Sequence, residues 1–166
     1  MNRMNKEDRY SFSVVSGGQT GVDRGALDAA MALGIAVAGW CPQGRLAEDG
    51  PIPEKYPLQE LEGGGYPERT LKNVVDSDGT VIIYFDELSG GTKLTYDYCI
   101  AESKPRILIN GAKKDMTNAV AMLNRFVSSN GIKVLNIAGP RESKDDRAYE
   151  YSYNVIQKFL KSSKRY

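Results

Sequence analysis

Residues 12–21 read FSVVSGGQTG, a short β-branched run followed by a glycine-rich turn. The run predicts a buried strand, and residues 22–33 then place apolar side chains at helical spacing. Gly34 follows directly, and glycine is a favourable residue just after the end of a helix. The pattern predicts a strand, a turn and a helix in succession, which is the repeating unit of an α/β fold.

The same alternation continues along the chain. Further strands are predicted at 35–40, 80–85, 106–109 and 133–138, and further helices at 66–76, 93–102, 116–129 and 145–161. Five strands separated by helices favour a mainly parallel five-stranded sheet that helices cover on both faces. A lateral order of 2-1-3-4-5 would place the turns after the first and third strands side by side. We expect one domain over 11–166, preceded by a flexible arm at 1–10.

One long segment interrupts the alternation. Residues 41–65 carry four prolines and show no helical or strand period. A loop of that length inside a compact domain is usually functional. We therefore expect it to close over a bound ligand.

The composition excludes several kinds of chemistry. The 166 residues include no histidine, which rules out imidazole bases, histidine zinc sites and histidine-containing triads. The two cysteines, Cys41 and Cys99, predict neither a disulfide framework nor a thiolate metal cluster. A formal net charge of +1 is not typical of a nucleic-acid-binding domain. The polar start of the chain and the lack of a long apolar run predict a cytoplasmic protein without a membrane span.

Glycine-rich turns precede several predicted helices and are suited to hold an anion. The first contains Gly17, Gly18, Gln19, Thr20 and Gly21, the second contains Gly90, Gly91 and Thr92, and a third begins at Gly139. Glycine lets the backbone approach a ligand, and the helix behind it presents free N–H groups. We expect these turns to contact a phosphate; the alternative is that each glycine only shapes its turn. On the first interpretation, Gly18→Val should abolish binding without unfolding the protein.

Cations follow the carboxyl ends of the predicted strands. Arg24 follows the first strand, Lys93 the third and Arg141 the fifth. A nearly neutral chain with cations along one sheet edge predicts a local anion-binding cleft. The alternative is that these are solvated charges paired with nearby carboxylates. Asp23, in the first helical turn, either caps that helix or faces the ligand.

Trp40 and Cys41 end the second predicted strand. Trp40 is suited to stack on a flat heterocycle such as a purine or pterin, or to pack in the core or at an interface. Cys41 is either a soft ligand for a thiophilic metal or a buried, inert thiol. Cys99 lies within a helical pattern and is expected to pack in the core.

Motifs in a fixed order resemble one known family. They are GGQTGVDR at 17–24, WCP at 40–42 with AEDGPIP at 47–53, Asn73 with DSDGT at 76–80, GGT at 90–92, and NIAGPRES at 136–143. The chain resembles the putative molybdenum carrier family, proteins similar to the algal molybdenum cofactor carrier. The resemblance implies a Rossmann-like three-layer α/β/α fold and a homo-oligomer, either a dimer or a tetramer. It also implies a cationic cleft that holds the molybdenum cofactor, a pterin with a phosphate tail.

A wider resemblance implies a second activity. The family is similar to the lysine-decarboxylase-like group, several of which are phosphoribohydrolases that cut nucleoside monophosphates. Arg69 lies in a segment that resembles the one carrying their catalytic arginine, and Asp97 falls where they place a glutamate. Lys93 and Leu94 stand where those enzymes have Gly-Thr. The motif that carries Asp97 is thus incomplete. If the chain is nevertheless an enzyme, the resemblance implies catalytic roles for Arg69 and Asp97.

Three functions follow from these observations. The first is a non-catalytic binding protein for a phosphorylated heterocycle, either the molybdenum cofactor or a nucleotide. The second is an enzyme that hydrolyses the N-glycosidic bond of nucleotides. The third is a nucleotide-sensing subunit of a larger assembly. In each case we expect a small phosphorylated ligand and further copies of the chain as partners, with neither nucleic acid nor membrane.

Overall fold

The computed structural model describes residues 12–162, so the predicted arm at 1–10 lies outside the described residues. Among these residues, five parallel strands form the central sheet: β1 (Ser13–Val15), β2 (Ala36–Ala38), β3 (Gly79–Tyr84), β4 (Arg106–Asn110) and β5 (Val134–Ala138). The predicted strands are confirmed, with ends that shift by at most two residues.

Within the same residues, five helices cover the sheet on both faces. They are α1 (Val22–Ala32), α2 (Tyr66–Val75), α3 (Gly90–Ala101), α4 (Met116–Ser129) and α5 (Ala148–Ser162). On one face, α1, α4 and α5 pack over the larger core, which includes Val81 and Ile83 of β3. On the other face, α2 and α3 pack together, and Ile82 contacts Val74 and Cys99. This alternation along β3 is expected for a strand covered on both faces, and the Rossmann-like three-layer prediction is confirmed.

The lateral order of the strands is β2-β1-β5-β3-β4, so the expected order 2-1-3-4-5 is wrong. The last strand of the chain lies in the middle of the sheet. Asn136 of β5 lies between Val15 of β1 and Thr80 of β3. Consecutive strands are neighbours in most sheets, and this tendency misled the prediction. Periodicity identifies a strand, whereas its neighbours depend on packing between segments that are distant in sequence.

The observed order is a Rossmann order whose first strand stands at the end of the chain. If β5 is counted first, the sheet reads 3-2-1-4-5. The ends of the described chain lie close together, as such a rearrangement requires. The Phe12 ring packs edge-on against Phe159, with 6.3 Å between the ring centroids. The switch point, where ligands bind in sheets of this kind, therefore lies between β5 and β3.

Residues 39–65 leave the main sheet. β2 ends at Ala38, and Gly39 follows it with a φ of +144°. A side chain at residue 39 would strike the Ser16 carbonyl oxygen, so this position requires glycine. Two small sheets follow within the described part of this segment: Trp40–Pro42 parallel to Gln59–Leu61, and Leu46–Ala47 antiparallel to Gly50–Pro51. The stretch predicted to be irregular is thus partly organised as short strands.

Two helices begin at positions other than those predicted. α3 begins at Gly90 rather than Lys93, so the glycine-rich turn forms its first turn. α5 begins at Ala148 rather than Asp145, because the residues before it form a separate turn in which the Lys144 N–H donates to the Arg141 carbonyl oxygen. No helix within residues 12–162 is both long enough and apolar enough to cross a membrane.

Candidate functional site

A cleft of about 700 Å³ opens at the carboxyl ends of β3 and β5. Its lining comes from the residues after both strands and from the first turns of α2 and α3. Gln19 and Asp23, which follow β1, complete the lining. The position is the switch point of the sheet, and the volume is typical of small-molecule sites. The cleft is therefore the candidate site.

The amino terminus of α3 presents unsatisfied N–H groups to the cleft. Gly91 and Thr92 line it, and within residues 12–162 neither backbone N–H has a hydrogen-bond partner. The side chain of Ser89 makes no capping hydrogen bond. Gly90 starts the helix at a φ of +54°, which favours glycine. A 12-residue helix with free N–H groups in its first turn is suited to bind an anion.

The turn after β1 is arranged differently, because the N–H groups of Gln19 and Thr20 already have partners and its glycines do not line the cleft. The Gln19 N–H donates to the Asp23 carboxylate at 3.2 Å, and the Thr20 N–H donates to the Gln19 side-chain oxygen at 3.0 Å. The Val22 N–H, in the first turn of α1, donates to the Pro140 carbonyl oxygen at 3.2 Å. These groups are not available to an anion in this arrangement. Within the predicted turn, only Gln19 lines the cleft.

Gly17 and Gly18 allow close packing, and neither lines the cleft. A Cβ at Gly17 would lie 2.5 Å from the Arg69 Cζ atom, so the guanidinium rests on bare backbone. A Cβ at Gly18 would lie 2.5 Å from the Leu58 Cδ1 atom, and Gly18 has a φ of +78°. The structure therefore contradicts the expectation that Gly18→Val would spare the fold, since valine would be both strained and overpacked there.

Gly21 and Gly139 also permit close packing. A Cβ at Gly21 would lie 2.8 Å from backbone atoms of Arg141 and Glu142. A Cβ at Gly139 would lie 2.6 Å from the Val22 side chain. Gly139 nevertheless lines the cleft, so its backbone is one of the surfaces that a ligand would meet.

Two arginines flank Tyr66 in the wall of the cleft. The Cζ atoms of Arg69 and Arg141 lie 5.7 and 5.6 Å from the centroid of the Tyr66 ring. Within residues 12–162 the Arg141 side chain makes no hydrogen bond or ion pair, and Lys144 lines the same cleft. The Arg69 Nε atom has no partner among these residues either, although its side chain is only 12% exposed; its Nη1 lies 3.9 Å from Asp23 Oδ2. Buried donors of this kind favour an anion or another acceptor in the cleft.

Gln19 and Asp23 form a buried pair in the lining, which we call the polar pair. The Gln19 side-chain oxygen accepts hydrogen bonds from the N–H groups of Thr20 and Glu48, at 3.0 and 2.9 Å. Because both partners are donors, the orientation of the amide is determined. The Gln19 Nε2 atom has no partner within residues 12–162. Burial raises the pKa of Asp23 above its usual range, and the nearby Arg69 guanidinium opposes that rise.

Arg24 binds the long loop rather than lining the cleft. Its Nη1 and Nη2 atoms donate to both carboxylate oxygens of Asp49, at 2.5 and 2.8 Å. Its Nε atom donates to the Gly18 carbonyl oxygen at 3.1 Å. This bidentate pair holds the loop against the turn after β1.

Glu48 joins the same loop to two turns at the edge of the cleft. Its carboxylate accepts hydrogen bonds from the hydroxyl groups of Thr20 and Ser143, and from the Ser143 N–H at 3.1 Å. Although partial desolvation opposes it, these hydrogen bonds lower the pKa of Glu48. The predicted site residue Thr20 therefore acts within the protein, as part of this connection.

Trp40 and Cys41 lie away from the cleft. The Trp40 indole Nε1 donates to Asp76 at 2.8 Å, and the Trp40 backbone exchanges two hydrogen bonds with the Asn73 side chain. Cys41 is fully buried in a small core with Leu27, and burial raises the pKa of its thiol. Neither side chain lines the cleft: Cys41 is the buried thiol of the second alternative, whereas Trp40 is half-buried and held by hydrogen bonds to Asp76 and Asn73.

Lys93 and Asp97 pair with each other on an exposed face of α3, with 2.7 Å between Nζ and Oδ2. Neither residue lines the cleft, whereas Arg69 does. The structure thus does not bring Arg69 and Asp97 together in the cleft. The exposed pair contributes little to stability, as is usual for such pairs on a helix.

Comparisons with known proteins agree with this architecture. The model of the circularly permutated YpsA SLOG family matches residues 14–160. The chain belongs to this family. The structure of a putative molybdenum carrier protein from Syntrophus aciditrophicus SB is 44% identical, with a TM-score of 0.88, and the match covers 91% of this chain and 96% of that one. The predicted resemblance is confirmed, whereas no match was found among curated proteins.

The permutation in the description of the circularly permutated YpsA SLOG family corresponds to the displaced strand β5. It also explains which site residues sequence reasoning missed. Tyr66 and Lys144 line the cleft and were not predicted. Their signals are weak: Tyr66 follows three glycines at 63–65, and Lys144 lies three residues after Arg141. Only the correct strand order brings these positions to one cleft.

Proposed function

We propose that this member of the circularly permutated YpsA SLOG family is a non-catalytic binding protein for a phosphorylated heterocycle. The ligand would lie in the cleft between β3 and β5, and the molybdenum cofactor is the first candidate. One observation carries the proposal. The cleft is lined by Gly91 and Thr92, whose N–H groups have no partner within residues 12–162, and by Arg141 and Lys144, whose side chains make no hydrogen bond or ion pair among those residues. Helix N–H groups and guanidinium donors together suit the three oxygens of a phosphate monoester.

Two of the carboxylates at the edge of the cleft already pair with a cation. Asp86 and Asp145 line it, but the Arg147 Nη2 atom lies 3.3 and 2.6 Å from their oxygens. Hydrogen bonds from Arg147 lower the pKa of Asp145, so that group is already ionised and paired. Glu87 also lines the cleft, so its lining as a whole is not positive. The local group that attracts an anion is Arg141 and Lys144 beside the amino terminus of α3.

The cleft suits the phosphate tail of the molybdenum cofactor better than it suits the metal. Its phosphate tail matches the amino terminus of α3 and Arg141, and a cleft of about 700 Å³ has room for a pterin. The buried Cys41 is not placed to ligate the metal of such a cofactor in the cleft. The Syntrophus aciditrophicus protein is named a putative molybdenum carrier, which is compatible with this ligand, and a nucleotide is the second candidate.

A phosphoribohydrolase is the alternative, because Arg69 lines the cleft as the resemblance to those enzymes implies. Its implied carboxylate partner, Asp97, is paired with Lys93 outside the cleft. Incubation with a panel of nucleoside monophosphates tests this activity. Release of free base that is lost in Asp97→Asn would support the enzyme, whereas no release from any nucleotide would support the carrier.

Native mass spectrometry tests the carrier proposal. The protein is measured alone, after incubation with the molybdenum cofactor, and after incubation with nucleoside monophosphates. We expect a retained phosphorylated ligand, and roughly tenfold weaker binding in Arg141→Gln from the loss of a charge-assisted hydrogen bond. Lys113→Gln is the matched control, since Lys113 is exposed and does not line the cleft. Equal affinity of Arg141→Gln and wild type, or no bound phosphorylated compound, would overturn the proposal.

The proposal includes a homo-oligomer, as the resemblance implies. Several tyrosines of α5 are already engaged within one chain: Tyr149 donates to Asp28 at 2.6 Å, and Tyr151 donates to the Lys114 carbonyl oxygen at 3.0 Å. They therefore do not need a partner subunit to satisfy their hydroxyl groups. Light scattering of the purified protein distinguishes a monomer from a dimer or tetramer.

A further inference from the structure

Gln19 carries a buried donor that the protein itself does not use. The residue is 5% exposed, and its Nε2 atom has no hydrogen-bond partner within residues 12–162. Rotating the amide would not help, because its oxygen already accepts from the N–H groups of Thr20 and Glu48. A buried amide donor without a partner is costly, so its presence in the lining of a cleft points to a ligand acceptor.

Asp23 places an acceptor close to this donor. It is 3% exposed and lines the same cleft, and one of its oxygens accepts the Gln19 backbone N–H at 3.2 Å. The Arg69 Nη1 atom lies 3.9 Å from that oxygen and balances the charge of the carboxylate. The polar pair with Arg69 is thus close to neutral overall. The amino terminus of α3 with Arg141 and Lys144 is positive.

We infer that the polar pair is a second subsite of the cleft, which takes an uncharged ligand group bearing a hydrogen-bond acceptor beside a donor. The acceptor would receive the Gln19 Nε2 hydrogen, and the donor would bind the Asp23 carboxyl group. Two ligand parts share this chemistry: the diol of a ribose, and the lactam edge that guanine and pterin have in common. The inference rests on the proposed function, because the phosphate held at α3 brings the rest of the ligand into the cleft.

Other occupants fit the polar pair less well. A phosphate dianion offers only acceptor oxygens, so it would satisfy the Gln19 donor but bring no donor to the Asp23 carboxyl group. An apolar group would leave both the Gln19 donor and the Asp23 acceptor without partners. A group with both functions satisfies the pair, and it would select among phosphorylated compounds that the cationic end alone cannot distinguish.

Four probes separate the two ends of the cleft by isothermal titration: inorganic phosphate, ribose 5-phosphate, AMP and GMP. Inorganic phosphate reports on the cationic end alone. For wild type we expect at least one organic phosphate to bind roughly tenfold more tightly than inorganic phosphate, the gain expected for satisfying a buried hydrogen-bonding pair. A gain already present for ribose 5-phosphate assigns the diol, and a gain seen with GMP alone assigns the lactam edge.

Variants at Gln19 test the assignment. Gln19→Glu retains an oxygen for the N–H groups of Thr20 and Glu48 but replaces the donor, and Gln19→Met removes both functions at similar size. Each should reduce the ratio of organic to inorganic phosphate affinity to about one, with a cooperative thermal transition retained. The ratio cancels any general effect of charge. Gln59→Glu is the matched control, because Gln59 is exposed and does not line the cleft, and it should leave the ratio unchanged.

The possible outcomes distinguish this inference from the proposed function. Wild type that binds all four probes equally, or an unchanged ratio in the folded Gln19 variants, overturns the second subsite and leaves the phosphate site intact. Wild type that binds none of the four probes overturns both. If both Gln19 variants fail to fold, Asp23→Asn provides the test, since the asparagine oxygen can still accept the Gln19 N–H. An unchanged ratio in that variant also overturns the inference.

Discussion

Gly17→Ala tests whether bare backbone beneath Arg69 holds its guanidinium in the cleft. Gly17 does not have a positive φ, so alanine fits the backbone there. The new Cβ would lie 2.5 Å from the Arg69 Cζ atom, whereas real Cβ contacts essentially never fall below 3.0 Å. The guanidinium must therefore retreat by more than about 0.5 Å, the difference between these distances, because its Nη1 atom would lie closer still. Since Arg69 is the far end of a flexible side chain, we expect the fold to tolerate the change.

The expected effect is on ligand affinity. A hydrogen bond to a charged group contributes about 1.5–3 kcal/mol, so displacement of Arg69 should weaken AMP binding by roughly 10- to 100-fold. Titration of AMP into wild type, Gly17→Ala, Arg69→Gln and the double variant measures this loss. Both substitutions act through one guanidinium, so the double variant should bind about as weakly as Arg69→Gln alone. Wild-type affinity in Gly17→Ala, or fully additive losses in the double variant, would refute the reasoning.

Three further predictions concern stability and reactivity. Gly18→Val should lower the free energy of unfolding by roughly 3 kcal/mol, because valine is strained at positive φ and overlaps Leu58. Urea denaturation measures this loss, and an unchanged denaturation midpoint would contradict the prediction. Burial raises the pKa of Asp23 in the folded state above its ordinary value of 3.8. The folded state therefore binds this proton more tightly than the unfolded state does, and protonated Asp23 favours folding. This contribution to the free energy of unfolding is lost as the pH rises from about 3.8 through the raised pKa. Melting temperatures from pH 3 to 8 should therefore depend less on pH in Asp23→Asn, and identical profiles would speak against a raised pKa. Cys41 and Cys99 are buried with raised thiol pKa values, so a thiol reagent should label both only after denaturation; rapid labelling of the native protein would disagree.

Local pattern was sufficient to predict the elements of the fold. The β-branched run at 12–16 and the apolar run at 80–85 both correspond to strands, and α4 begins and ends where its periodicity predicted. These signals are local because a strand or helix buries one side of itself at a fixed repeat. The place of β5 between β1 and β3 has no such repeat, and its prediction failed.

Apart from Arg69, which the resemblance suggested, the predicted residues that line the cleft come from turns and first helical turns after strands. Gly91, Thr92 and Arg141 line the cleft because the carboxyl ends of β3 and β5 meet there. Arg24 follows β1 in the same way, yet Asp49 binds it from the long loop. A partner 25 residues away leaves no mark in the local pattern.

The sequence by itself determined the α/β class, the glycine-rich turns before the helices, and the exclusion of histidine chemistry. These properties depend on composition and on short-range periodicity, which every stretch of chain carries with it. Tertiary structure decided the order of the strands and placed Trp40 and Cys41 outside the cleft. It also brought Gln19, Asp23 and Arg69 together in the lining of one cleft. The physical reason is that burial and hydrogen-bond partners come from distant segments, and only the folded chain brings those segments into contact.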